Sequence, residues 1–125
     1  MRTSVTSSDA PAAIGPYSQA MRHDGLLWCS GQLGLSPTSG KLVSDDTAAQ
    51  AEQALRNLEA VCLEAGTSLG KALRLTVYLV DLADFQAVNH VYQGHFEEPY
   101  PARVTLQVAA LPKDGRVEID AVVAL

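Results

Sequence analysis

The sequence predicts an α+β domain, a mixed β-sheet with two helices packed on one of its faces. Three observations carry that expectation. Two segments place apolar residues at helical spacing, and two segments near the C-terminus alternate apolar and polar residues with period two. The segments then fall in the order β-β-(β)-α-β-α-β-β. With 125 residues, 47% apolar and 18% charged, the chain fits one domain, residues 1–125, with a core of its own rather than a disordered or fibrous chain.

Residues 1–13 read as an irregular lead-in. Gly15-Pro16 precedes a first strand from Tyr17 to His23, Asp24-Gly25 is a two-residue hairpin turn, and Leu26 to Ser30 is the return strand. After the loop Ser36-Pro37-Thr38-Ser39-Gly40, Lys41 to Val43 suits a brief extended piece. Ser44-Asp45-Asp46-Thr47 supplies N-cap residues for a helix. Its inward stripe is Ala51, Ala54, Leu55, Leu58, Val61, Cys62 and Ala65, and its outward face holds Glu52, Gln53, Arg56, Asn57 and Glu59. Gly66 ends it.

Leu73 to Val80 is apolar and β-rich, as expected of a central strand buried on both faces. Asp81 and Asp84 both suit the start of a second helix with Phe85, Val88, Tyr92 and Phe96 as its buried stripe. Pro99 and Pro101 stop it. Arg103 to Ala109 alternates Val104, Leu106 and Val108 against Arg103, Thr105 and Gln107. After the turn Pro112-Lys113-Asp114-Gly115 the last strand points Val117, Ile119 and Ala121 inward and Arg116, Glu118 and Asp120 outward. The uncovered sheet face is expected to carry Thr76, Tyr78, Thr105 and Gln107 beside apolar neighbours. Such a half-polar face calls for a second copy of the chain.

Composition narrows the functional classes. Nine Lys+Arg against fourteen Asp+Glu give a net charge of −5, with no local basic cluster to attract a phosphate backbone, so no nucleic-acid partner is expected. There is no spanning apolar run and no apolar leader at the N-terminus, so neither a membrane partner nor export is expected, and the location expected is cytoplasmic. Cys29 and Cys62 form no C-x-x-C pair and read as buried reduced thiols. His23, His90 and His95 lack ligand spacing, so no metal is expected. P-loop, dinucleotide and nucleophile-elbow patterns are all missing.

A few polar residues stand where propensity would not choose them. Arg103 opens a strand after Pro101-Ala102, where its rigid fork suits a carboxylate; taken alone, an ordinary arginine paired with a surface acid is the favoured reading. Glu118 lies between Val117 and Ile119. Partly buried, it would have a raised pKa and could move protons near neutrality; otherwise it is a solvated carboxylate on a strand face. Tyr17, Ser30 and Asn89 read either as ligand contacts or as an interface aromatic, a strand-end hydroxyl and a solvent-facing helix residue. Gly31 either offers its N–H to a ligand or turns the chain.

The run Ala12-Ala13-Ile14-Gly15-Pro16-Tyr17-Ser18-Gln19-Ala20 with Ser30-Gly31-Gln32 resembles the YjgF/RidA family of reactive-intermediate deaminases. So do Thr76 to Phe85 with Asn89 and Tyr92, and Pro101-Ala102-Arg103 with Leu106, Leu111 and Val117-Glu118-Ile119. The resemblance covers nearly the whole chain. It implies a chorismate-mutase-like fold in a homotrimer with sites at the subunit clefts. The implied activity is hydrolysis of 2-imino acids, formed from enamines such as 2-aminoacrylate, to 2-keto acids and ammonia, with neither cofactor nor metal. By the same resemblance Arg103 grips the substrate carboxylate and Glu118 positions or activates water. Tyr17, Ser30, Gly31 and Asn89 line the cleft. Many relatives carry a cysteine two residues after the arginine, where this chain has Thr105 among the substrate-binding positions. The competing readings are a trimer that binds a 2-keto acid without turning it over, and a ribonuclease, which the charge disfavours.

A register argument adds one expectation. If Pro112 to Gly115 closed a simple hairpin, Leu111 would face Arg116 and Arg103 would face Ala124, leaving Glu118 about 20 Å away. Arg103 and Glu118 are therefore expected to meet across a subunit boundary, with three shared sites per trimer.

Overall fold

The computed structural model describes residues 1–125. Eight elements follow in order: β1 (Thr3–Val5), β2 (Ala20–His23), β3 (Leu26–Leu33), α1 (Thr47–Glu64), β4 (Ala72–Leu79), α2 (Phe85–Gln93), β5 (Ala102–Gln107) and β6 (Val117–Ala124). They form one six-stranded sheet in the order β1-β2-β3-β6-β4-β5. Every neighbouring pair is antiparallel except β4 and β5, which are parallel and joined through α2.

The local signals explain most of these elements. Asp24 and Gly25 both take positive φ, the geometry of the tight hairpin that sets His23 opposite Leu26. Asp46 caps α1, its carboxylate accepting from the Ala49 N–H at 3.0 Å. The inward stripe of α1 is buried throughout and packs on Leu27, Leu75, Val77, Leu79, Val117, Ile119 and Val123 to make the core. The brief extended piece reduces to a single bridge, Leu35 to Leu42.

Five expectations need correction. The lead-in contains β1, a three-residue edge strand paired on β2, too short to show a period. The first strand starts at Ala20 rather than Tyr17, because residues 15–18 turn instead of extending. Asn57 is buried rather than outward, and its amide donates to the Leu33 and Leu35 carbonyls at 3.2 and 3.0 Å. β4 is central in sheet order, yet only the side bearing Leu75, Val77 and Leu79 is covered, since both helices lie on that side. Finally, Pro112 to Gly115 closes no hairpin: β4 lies between β5 and β6.

The register also reverses β5. Residues paired across a sheet share a face, and Arg103, Thr105 and Gln107 pair with Leu75, Val77 and Leu79. These three residues therefore face the helices. Val104 and Leu106, at 39% and 37% exposure, lie on the open face with Thr76 and Tyr78. Trp28 and Val122 share that face.

Candidate functional site

The residues that could carry chemistry gather in two separate clefts. The first, of about 510 Å³, lies between the segment Pro11–Gln19, the end of β3 and the start of β6. Ser30 and Gly31 form a bulge in β3, two residues facing Asp120 alone between the pairs Cys29–Ala121 and Gln32–Ile119. The bulge brings Gly31 beneath the Glu118 side chain. A Cβ on Gly31 would stand 2.6 Å from Glu118 Oε1, so only glycine leaves the carboxylate its place. Burial first, and then the like charge of Asp120, hold Glu118 above the usual carboxylate range. Asp120 in turn accepts from the Tyr78 hydroxyl at 2.8 Å.

The wall opposite Glu118 is the segment bearing Ile14 and Tyr17, both well exposed. A residue that sequence reasoning passed over holds this wall. Gln19 is 3% exposed, and its amide donates to the Ser7 and Pro11 carbonyls and accepts from the Ser7 N–H. The Ser30 hydroxyl donates to the Ser18 carbonyl at 2.6 Å, so its proton anchors this segment. Lys113, whose ammonium donates to the Gly40 carbonyl, completes the rim.

The second cleft, of about 390 Å³, is lined by Asn89, Tyr92, Gln93, Tyr100, Pro101 and Arg103. The Arg103 guanidinium carbon lies 4.7 Å from the Tyr92 ring centre and 5.6 Å from that of Phe85. The chain's four ion pairs join His23 to Asp24, Arg56 and His95 to Glu52, and Arg116 to Asp84; Arg103 is in none of them. It is thus not an arginine paired with a surface acid. It is a cation held on two aromatic faces with its hydrogen-bond fork uncommitted. This explains why Phe85 is part-exposed instead of joining the buried stripe formed by Val88, Tyr92 and Phe96. The signal was present in the spacing of Phe85 and Tyr92, but it reads as core until the register of β5 is known. The Tyr92 hydroxyl is buried without a partner.

The structure therefore groups Tyr17, Ser30, Gly31 and Glu118 in one cleft and Asn89 and Arg103 in the other. Thr105 sits on the same face as Arg103, opposite Val77, and lines neither. Arg103 is level with Leu75 and Glu118 with Tyr78 on either side of β4, about 10 Å apart along the strands and about 10 Å across them. They also project from opposite faces of the sheet. No cluster of three His, Cys, Asp or Glu side chains could hold a metal. Both cysteines are buried and free, and contact with Cys29 together with burial pushes the Cys62 thiol up, away from a nucleophile's range. No helix is long and apolar enough to cross a membrane.

Known proteins share both this fold and much of this sequence. The family model described as Endoribonuclease L-PSP matches residues 7–125. The 2-iminobutanoate/2-iminopropanoate deaminase of Capra hircus is 48% identical over 122 residues, 98% of this chain and 89% of that protein. Among solved structures, RidA from the Antarctic bacterium Psychrobacter sp. PAMC 21119 superposes with a TM-score of 0.95 at 43% identity, covering 98% of this chain and 99% of the other. E. coli TdcF with bound serine superposes with a TM-score of 0.91 at 36% identity, covering 98% of each chain. With a family model matched over nearly the whole chain, relatives at close to half identity and solved structures that superpose over almost every residue, the chain belongs to the YjgF/RidA family.

Proposed function

We propose that this protein hydrolyses 2-imino acids to 2-keto acids and ammonia, in clefts built from two copies of the chain within a homotrimer. The observation that carries the reading is the division of the chemistry between the sheet's two faces. Arg103 offers an uncommitted fork on one face, and Glu118, a half-buried carboxylate with a raised pKa, stands over Gly31 on the other. Each is half of a site, and the open face with Trp28, Val104 and Leu106 supplies apolar surface for the copies to join.

The chemistry suits these groups. The substrate carboxylate takes the Arg103 fork in two parallel hydrogen bonds, with Asn89 beside it. Glu118 of the neighbouring copy accepts a proton as water adds to the C=N carbon, giving a carbinolamine. The same carboxyl returns the proton to nitrogen and then takes the hydroxyl proton as the C–N bond breaks, so ammonia leaves and the ketone forms. A carboxylate whose pKa is raised by burial is a stronger base, closer to the pH at which it must work. Imines hydrolyse unaided, so orientation plus proton transfer, worth about 10²–10⁴-fold, is sufficient.

The goat relative's name supports this substrate class. The serine in the TdcF structure favours a second reading, in which a small amino or keto acid is bound and not turned over. Cleavage of RNA, named in the family description, has less support, since the net charge is −5 and neither His23 nor His95 is free of an acidic partner.

The test generates imino acids in place with an amino-acid oxidase and follows their decay. The parent protein should accelerate it, and Arg103→Ala and Glu118→Ala should each abolish the effect, Glu118→Ala retaining 2-keto acid binding. Co-expressing the two variants should restore about a quarter of the activity, because one cleft in four then receives both intact residues. Restoration would not occur if each chain carried a whole site, and a parent that binds without accelerating decay would decide for the second reading.

A further inference from the structure

Arg116 stands two residues before Glu118, and its contacts are not those of a surface side chain. Its N–H donates to Gln50 Oε1 at 2.8 Å, its Nε to Thr47 Oγ1 at 2.8 Å and its Nη2 to Asp84 Oδ2 at 3.2 Å. Thr47 donates to that same carboxylate oxygen at 2.7 Å. Three elements meet here: Thr47 is the first residue of α1, Asp84 immediately precedes α2, and Arg116 immediately precedes β6.

Asp84 ends the single turn of 3-10 helix, Leu82–Asp84, that runs into α2, and the cap of that turn is Asp81, whose carboxylate accepts from the Ala83 N–H at 2.9 Å. Asp84 makes no capping bond of its own. Its carboxylate is free to accept from Thr47 and Arg116 instead, a link between three elements and not a local one. Two things hang from that link. One residue beyond Asp84, α2 begins with Phe85 and continues through Asn89 and Tyr92, the ring platform and neighbour of Arg103. Two residues beyond Arg116 is Glu118. The pair is part-exposed, at 40% and 27% for the two side chains, so its ionic attraction adds little to stability.

We infer that Arg116 and Asp84 are a positioning pair, setting the α2 rings beneath the Arg103 guanidinium and the Glu118 carboxylate over Gly31, and so holding both half-sites from one point. The catalytic consequence rests on the deaminase reading above; the geometric one does not. The two are separated by measuring each. In the parent, the Arg103 side-chain protons lie over two aromatic rings and should show upfield-shifted NMR signals. Arg116→Met, which keeps the stem and the backbone bond to Gln50, and Asp84→Ala should move these signals toward free-arginine positions while the fold persists. With imino acid substrate the same variants should raise KM and lower kcat, each by about tenfold, and Arg116→Lys should recover part of both.

Thr47→Val, which removes only the bridging hydroxyl, gives the same direction with a smaller shift if Asp84→Ala does not fold. Arg56→Gln, which breaks the exposed pair with Glu52, should change nothing. Variants that fold with Arg103 signals at the parent positions overturn the inference whatever the activity. A parent without imine turnover overturns the deaminase reading alone, and the NMR arm still decides the positioning role.

Discussion

One added methyl group separates a catalytic defect from a folding defect. In Gly31→Ala the new Cβ would lie 2.6 Å from Glu118 Oε1, 2.9 Å from Cδ and 3.1 Å from Cγ. Non-bonded atoms settle near 3.5 Å, so the carboxylate must retreat by roughly 1 Å. It can do so, because the obstructed atoms are the end of a half-buried side chain on the open face. Any crowding cost is offset by the lower unfolded-state entropy of alanine, about 0.4–1 kcal/mol, leaving stability nearly unchanged. Misplacing a proton-transfer group by 1 Å costs about 10²-fold in kcat, while carboxylate binding through Arg103 leaves KM within about threefold. Gly34→Ala is the contrast. There the Cβ would stand 2.5 Å from the Gln50 Cα and 2.6 Å from its carbonyl oxygen, backbone of α1 that cannot swing aside. That variant should lose about 1–3 kcal/mol or more, with a thermal midpoint lower by several degrees. Oxidase-coupled imine decay and calorimetry read the two effects. The reasoning fails if Gly31→Ala turns over at the parent rate, or if it destabilises as much as Gly34→Ala.

Three further outcomes follow from the site. Arg103→Lys keeps the charge but loses the planar fork and its ring stacking, and should raise KM about 10–100-fold in steady-state kinetics. Tyr92→Phe removes a buried hydroxyl without a partner and keeps the ring under Arg103; it should gain about 1 kcal/mol, seen as a thermal midpoint a few degrees higher. Burial and Asp120 hold Glu118 above its unfolded value, so its contribution to stability is greatest below the ordinary carboxylate pKa and is lost as pH rises through the folded one. Its use as a base runs the other way, with kcat/KM rising over that same window. Asp120→Asn, which still accepts from Tyr78, should move the acid limb of the pH–rate profile to lower pH.

The helices and β6 were legible in the main because each has a single covered side to which its period points; Asn57, buried, and Phe85, part-exposed, are the exceptions. β5 shows where that logic stops. Alternation of Val104 and Leu106 with Arg103, Thr105 and Gln107 says that the two faces differ, and hydrophobicity assigns the first set to the helices. The register does the reverse. β5 is an edge strand, and the covering side chains near Arg103 are the aromatic rings of Phe85 and Tyr92, which accept a guanidinium as readily as an aliphatic group. The contacts of Gln19, Asn57 and Asp84 were equally hidden, since a polar residue's partner twelve or more positions away leaves no local trace.

The inversion of β5 has a consequence for how the chain can work. Arg103 and Glu118 project from opposite faces of one hydrogen-bonded sheet, and β4 bonds to the strands on both sides of it. No side-chain rotation or loop movement carries either group through that sheet. On the proposed reading a substrate that needs both is met by two copies, and the same inversion turns Val104 and Leu106 outward to join Trp28 on the open face. Turnover should therefore depend on protein concentration in a way that folding does not. On dilution below the assembly constant, or in Leu106→Glu, helical content should persist while imine decay returns to the uncatalysed rate. A dilute monomer with full specific activity would mean that one of the two residues is not used.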